Sequence, residues 1–569
     1  MLTDLKDCTT RAALASILGV EAKELAYVLY KIDQGSKYTS FCISKKNGGT
    51  RQIQAPIPKL RFIQSRLQQI SMACCDDIAD LGIYKGKLSF AFQKDRNIFE
   101  NARPHVGKRF ILNLDIRDFF HQCNFGRVRG YFIHSKEWKL DPAVATVIAQ
   151  IACVDEGLPQ GSPSSPIIAN LLGQILDVRL TRFLHPRRCT YTRYCDDITI
   201  STDMRVFPRD VAVQDDSWPS GWALAAPLED IFVRADFPIN YNKLRMSFDC
   251  SKKVVTGLTV NRFPNIDRKF YRDTRLLLDR YAQTSSCKYI EFTGNFGNNC
   301  DNTETKNKNP ILRLGGRLAF IHHIKSRTSL IGYPGIVHPQ NPQFYGMVQT
   351  YAFAKDFVFN SIPTVVTEGP SDIIHLKAAI RANPAWAPHI FDSKENRFLV
   401  KFARHDGLFA TVLGMSGGTG NIGRFLDLYY SRFKRINYKI RTQPSVIVVD
   451  NDKGSHGILK RLSNIHKMKL STGDGLVVKK LQPFFYICKT PQLAGKAETA
   501  IEDLLPSAIT GMVVGGKTFE PDTKKFESSK NFGKIFLAKM VATQHSATAY
   551  ANFQQFITGL DDAVAGVAK

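Results

Sequence analysis

The sequence predicts a multidomain chain in which an α+β half is followed by an α/β half. Three observations carry that expectation. Its 569 residues exceed what one hydrophobic core holds, so several domains are expected. From about residue 41 to 265, strand and helix patterns alternate irregularly, with hairpin signals among them. After Pro363 the pattern settles into strand–turn–helix units, the grammar of an α/β sheet. Hydrophobic content of 44% with 22% charged residues is ordinary for a globular protein.

Residues 1–40 read as helical, with Leu25, Val28 and Ile32 at one-turn spacing. Residues 41–56 read as a hairpin around Asn47-Gly48-Gly49, closed by Pro56, and a helix carrying Leu60, Ile63 and Leu67 follows. Phe110–Asp115 is an apolar run ending in an acid. Tyr191–Ser201 places Asp196 and Asp197 between two β-prone runs, as the turn of a hairpin. Between Phe207 and Pro227, Pro, Asp, Ser and Gly mark an insertion or long loop. Residues 270–282 and 311–328 read as basic helices, joined by an Asn-, Thr- and Lys-rich loop over 284–310. A strand at Thr364–Thr367, a helix from Ser371 and a strand at Val446–Val449 open the last part. The expected segments are 1–40, 41–265, 266–355 and 356–569.

The net charge of +26 is shared by both halves, which points to nucleic acid as the partner of each. The 12 cysteines include no Cys-x-x-Cys pair and no zinc spacing; Cys74-Cys75 is the only close pair. Reduced thiols in a cytoplasmic protein are expected. No apolar run approaches the roughly 18 residues needed to span a bilayer, and Ala12–Val20 is a packed helix too short for one, so no membrane partner is expected.

Two like charges side by side are kept in a fold mainly to hold a cation. Asp196 and Asp197, with Asp115 at the end of another strand, could hold two Mg²⁺ ions for in-line phosphoryl transfer. The pattern recurs in the second half. Glu368 follows one β-rich run, and Asp450-Asn451-Asp452 follows another, Ser445–Val449. That too is metal-site spacing.

With these motifs in hand, residues 40–265 resemble a reverse transcriptase, and within that class the bacterial retron enzymes. The resemblance implies a right-hand polymerase with fingers, palm and thumb. Asp115, Asp196 and Asp197 match the family's metal-binding aspartates. Phe120, five residues beyond Asp115, matches its steric gate against a ribose 2′-OH, while Phe119 reads as core. Gly157–Pro166, with Gln160 and Gly161, matches the nucleotide-pocket motif. Arg51 matches a triphosphate-binding arginine, assisted by Lys45 or Lys46, and Lys243 matches a lysine near the leaving pyrophosphate. Asn101 and His105 match the Asn-Ala-x-x-His element that retrons use toward their RNA, and Val255, Thr256 and Gly257 their Val-Thr-Gly element. Asp95 stands where the family carries Gly, in a turn that needs positive φ. The resemblance implies a structured non-coding RNA as template and primer, dNTPs as substrates and branched RNA-linked DNA as product. No ribonuclease H constellation is apparent.

The second half resembles a Toprim domain. Glu368 matches its glutamate and Asp450 and Asp452 its Asp-x-Asp pair. Asp372 matches the extra acid of nuclease-type Toprims, Glu502 a further acid and Lys534 a basic group for the scissile phosphate. Met415–Thr419 matches the glycine turn between the acidic motifs. With no zinc module and no DNA-gating domain, a Mg²⁺-dependent nuclease is left. The whole chain then resembles retron enzymes with a fused Toprim effector, which implies cellular RNA or DNA as the substrate and antiphage defence as the setting. Two other readings compete. In one the Toprim half is a non-cleaving scaffold that holds nucleic acid or a partner; in the other the chain is an intron-type reverse transcriptase, which the Toprim motifs disfavour. Self-association is left open.

Overall fold

The computed structural model describes residues 1–44, 49–81, 89–155, 157–284, 310–330, 342–415, 419–433, 436, 443–472, 477–522, 525–544 and 547–567. The chain divides into two compact units, one built mainly on residues 1–271 and the other mainly on 334–569.

In the first unit three short helices, Leu2–Lys6, Arg11–Leu18 and Ala22–Tyr30, realise the expected helical start. Thr10 caps the second by accepting the Ala13 N–H, and Gly19 ends it at φ +70°, where a Cβ is disfavoured. Their leucines join one core with the helix Pro58–Asp80. Strands β1 (Tyr38–Ser44) and β2 (Thr50–Pro56) form the predicted hairpin, in register from Tyr38 opposite Pro56 to Ser44 opposite Thr50.

The centre of this unit is a four-stranded antiparallel sheet. It comprises β3 (Phe110–Asp115), β4 (Thr190–Tyr194), β5 (Asp197–Thr202) and β6 (Arg245–Ser247), in the order β4-β5-β3-β6. Every β5 residue after Asp197 is buried: Ile198 and Ile200 share a core with the helix Ser165–Leu184, while on the other face Thr199 donates to Asn113 Oδ1 and Ser201 lies against His105. The expected loop over 207–227 instead contains a small hairpin, Ala212–Gln214 against Trp222–Leu224. Three-residue strands set among turn-forming residues leave too little alternation to be read in sequence. The ring of Trp218 in its turn stacks on Tyr241, with centroids 4.3 Å apart.

The second unit holds a five-stranded sheet of β7 (Thr364–Val366), β8 (Lys401–Phe402), β9 (Ser445–Val449), β10 (Val478–Gln482) and β11 (Phe485–Lys489), ordered β8-β7-β9-β11-β10. All its pairs are parallel except β10 with β11. β9 and β11 are buried along their whole length, which explains why Ser445–Val449 reads as continuous rather than alternating apolar sequence. The helices Pro370–Ala382, Lys534–Gln544 and Gln554–Ala565 supply much of the core on this sheet. The basic helices expected at 270–282 and 311–328 are Arg268–Thr284 and Pro310–Leu330; the loop between them lies outside the described residues. Position 355 falls inside a continuous helical run, Pro342–Phe353 followed by Ala354–Val358, whose Phe353 and Phe357 pack on Phe425 and Tyr429. Among the described residues no helix is long and apolar enough to cross a membrane.

Candidate active sites

The first site forms where β3, β4 and β5 end. The β3–β5 register sets Asp115 directly opposite Asp197, and Tyr194 pairs with Asp197 across a two-residue turn of Cys195 and Asp196. Cys195 has φ +60°, a left-handed conformation that costs a non-glycine residue about 1–2 kcal/mol. The turn is anchored from below. Arg193 Nη1 donates to the Cys195 carbonyl at 3.0 Å, while its Nε and Nη2 each reach Asp177 at 2.7 Å. From the other side Ile116 N–H donates to the Asp196 carbonyl at 3.0 Å.

Asp115 is buried, and its Oδ2 accepts from Lys243 Nζ at 2.7 Å and its Oδ1 from Asn240 Nδ2 at 3.3 Å. Burial still holds it above its ordinary range, Lys243 opposes that rise, and Asp196 adds to it. Asp197 is open to solvent on one side, yet the protein packed around it, then the charges of Asp196 and Asp115, push it up to about 6. Water on the open side tempers the size of that rise, not its direction.

A cleft of about 590 Å³ at this point is lined by Asp115, Asp196, Arg51, Phe120, Gln160, Gly161 and Lys243. Phe119 is core, edge-on to Phe120 with centroids 5.9 Å apart. Gly161 has φ +136°, and a Cβ there would lie 2.6 Å from the Gln54 carbonyl. Its missing side chain therefore serves the seating of this loop on β2, where Gln54 N–H donates to the Gln160 carbonyl at 2.8 Å. Lys45 and Lys46 lie outside the described residues. Asp95 has φ +60°, as its place in a glycine-type turn requires.

The elements expected to touch RNA divide. His105 is 0% exposed, with Nδ1 2.7 Å from Ser201 Oγ and Nε2 2.8 Å from Thr192 Oγ1. Asn101 is 1% exposed and donates to Thr256 Oγ1 at 3.4 Å, and Val255 is buried. These three side chains, expected at the RNA, are instead enclosed and brace the sheet and its neighbouring turn. Thr256 and Gly257 do line an open groove of about 820 Å³, together with Asp115 and Asp197.

In the second unit Glu368 and Asp450 lie just beyond the C-terminal ends of the adjacent parallel strands β7 and β9. Glu368 Oε1 accepts from the Asp450 N–H at 3.0 Å and from Ser455 Oγ at 2.8 Å. Burial raises Glu368 to about 7 against those two hydrogen bonds, and Asp372 and Asp452 push the same way. Asp450 lies well above its ordinary range through burial, then Glu368, Asp372 and Glu502, with Lys534 opposing. Burial also raises Glu502, whose Oε2 accepts from Lys534 Nζ at 3.0 Å. Lys534 is lowered by burial but raised more by Glu502, Asp450 and Asp372.

Two of the expected acids also make local hydrogen bonds. Asp372 Oδ2 caps its own helix by accepting the Gly369 N–H at 2.8 Å, its Oδ1 accepts the Ser371 hydroxyl at 3.2 Å, and its charge raises Glu368 and Asp450. Asp452 Oδ1 accepts the Ser455 N–H at 3.0 Å. Met415 is described, but the glycines beyond it lie outside the described residues.

Among the described residues no three His, Cys, Asp or Glu side chains are gathered as a metal cage. Lys243 and Lys534 instead hold one acid each. The donor chemistry nevertheless fits Mg²⁺: both sets are all-oxygen, both contain carboxylates raised by burial and mutual repulsion, and buried Glu502 Oε1 has no hydrogen-bond partner. Residues missed in the sequence are Asn240 at Asp115 and Ser455 at Glu368. Ser455 carried a legible signal as a helix-start serine three residues past Asp452, though its hydroxyl serves Glu368 rather than the helix.

The family model for reverse transcriptase (RNA-dependent DNA polymerase) matches residues 43–214. The chain is similar to the retron Ec86 reverse transcriptase of Escherichia coli, 30% identical over 259 residues, 45% of this chain and 73% of that protein. It is similar to the retron Mx65 reverse transcriptase of Myxococcus xanthus, 29% identical over 303 residues, 48% of this chain and 64% of that protein. With the retron Mx162 reverse transcriptase of Myxococcus xanthus the identity is 26% over 277 residues, 45% of this chain and 54% of that protein. The N-terminal region thus has a reverse-transcriptase-like α/β fold.

Proposed function

The chain belongs to the retron reverse transcriptases, and from that premise we propose that it fuses an RNA-directed DNA polymerase to a Mg²⁺-dependent nuclease of Toprim type. The polymerase copies a structured non-coding RNA into branched RNA-linked DNA from dNTPs. The observation that supports it most is Asp115 facing Asp197 across β3 and β5, beside a cleft lined by Arg51, Phe120 and Gln160. Asp115, Asp196 and Asp197 would hold Mg²⁺, whose bound charge stabilises phosphoryl transfer. Arg51 offers positive charge toward a triphosphate. Lys243, held at Asp115, supplies a cation for the departing pyrophosphate, and Phe120 narrows the space beside the sugar.

For the second unit, Glu368 and Asp450 at neighbouring parallel strand ends, with Asp452 and Glu502 nearby, support a hydrolytic site for nucleic acid. Lys534 orients Glu502 and offers a cation to a scissile phosphate. The substrate class is cellular RNA or DNA and the setting antiphage defence. One observation favours the scaffold reading: Lys534 already compensates part of the acid cluster. The test uses the full chain with its copurifying RNA. Asp197→Ala should abolish branched-DNA synthesis and leave Mg²⁺-dependent cleavage. Glu368→Ala, or Asp450→Ala with Asp452→Ala, should do the reverse, each by about 10²-fold or more. Cleavage that survives the second-unit variants would leave the scaffold reading standing.

A further inference from the structure

Beside the nucleotide cleft lies a second cavity, of about 410 Å³, with no role in the reading above. Met72 and Trp138 line it with apolar surface, and Gln93, Asn170 and Arg96 line it with polar groups. Phe92 borders both this cavity and the nucleotide cleft. Its backbone is held at φ +55°, an outlier for a bulky residue, and it is 45% exposed. Strain of that kind persists where the surroundings impose it, often at a ligand clamp. Asn170 is only 3% exposed. Its Nδ2 donates to the Ala91 carbonyl at 3.0 Å, which fixes the amide, and its Oδ1 has no partner. Gln93 Oε1 is likewise buried without a partner. A buried acceptor left unpaired costs about 1–3 kcal/mol, so a ligand that donates hydrogen bonds here is favoured.

A planar group that stacks on Phe92, fits apolar walls and donates N–H to two amide oxygens is a nucleobase with an exocyclic amine. Arg96 and Lys94 add positive charge of the kind that suits a phosphate backbone. We propose that this cavity takes the unpaired template base one step ahead of the templating position, with Phe92 separating it from the base being copied. The proposal rests on the polymerase reading and adds a template subsite to it.

The test measures binding and extension by the full chain on RNA templates annealed to a DNA primer. The nucleotide ahead of the templating position is adenosine, 2-aminopurine riboside or an abasic unit. The abasic template should bind about tenfold more weakly than the adenosine template. Val178 lines the cavity at 42% exposure, so Val178→Trp can fill it from the rim. That variant should bind both templates equally and extend both. 2-Aminopurine emission should change on binding the wild type and not the variant. Equal wild-type affinity for adenosine and abasic templates would overturn the proposal. So would a tenfold preference retained by Val178→Trp at an unchanged unfolding midpoint. Displacement of 2-aminopurine emission by free adenosine monophosphate, with no preference between templates, would assign the cavity to a free nucleotide and overturn it too. Should Val178→Trp fail to fold, the wild-type comparison decides alone. Absence of extension on every template would refute the polymerase reading, while the binding comparison would still decide the subsite.

Discussion

Asp177→Asn should unfold the reverse-transcriptase unit at markedly lower temperature and impair catalysis, although Asp177 touches no substrate. Its carboxylate and the Arg193 guanidinium are both 0% exposed, joined by two hydrogen bonds of 2.7 Å, and Tyr191 Oη donates to Asp177 Oδ1 at 2.6 Å. Burial alone would lower Arg193, but Asp177 outweighs it and raises the guanidinium. Asparagine keeps the shape and removes the charge, leaving a buried cation that cannot lose its proton. Removing one partner of such a pair costs about 3–5 kcal/mol. At roughly 2–4 °C per kcal/mol for a unit of this size, the midpoint should fall by roughly 6–20 °C. Gly173 leaves no room for rearrangement, since a Cβ there would sit 2.7 Å from Arg193 Cζ. Because Arg193 also anchors the Cys195 carbonyl, kcat should fall more than dNTP KM rises. The assay is thermal unfolding of the full chain, with the first unit's transition assigned by loss of primer extension. Asp177→Leu with Arg193→Met should cost less than the sum of the two single variants. An Asp177→Asn protein within about 1 kcal/mol of wild type would refute the reasoning.

Phe120→Ala should lower the dNTP/rNTP ratio of kcat/KM at least about tenfold, because the ring lines the cleft beside the acids; an unchanged ratio would place the gate elsewhere. In the second unit Glu368 binds its proton more tightly when folded, at about 7 against 4.5. Stability should therefore be fullest below about 4.5 and fall as pH rises toward 7, by at most about 3 kcal/mol from this group. Millimolar Mg²⁺ should restore it at the high end, and Glu368→Gln should flatten the profile; an equally steep profile in that variant would sink the assignment.

What was legible in the sequence follows from the range over which sequence patterns act. Asp115, Asp196, Asp197, Glu368 and Asp450 could be picked out because each lies at the border of a β-prone run, and a strand border is a local signal. The partners that set their chemistry are not local. Asn240 reaches Asp115 across 125 positions and Ser455 reaches Glu368 across 87, and no periodicity links such pairs. The same limit explains His105. Its neighbourhood marked it as important, but whether it faces RNA or the sheet depends on Ser201 and Thr192, 96 and 87 positions away. Asp372 is a different case. An acid three residues after Gly369 is at once a helix cap and a candidate ligand, and the two readings share one local pattern. The acids of both sites therefore remain the part of the chemistry that strand ends announce. The lysines that hold them, Lys243 at Asp115 and Lys534 at Glu502, decide how much charge is left for a cation, and they are brought there only by the fold.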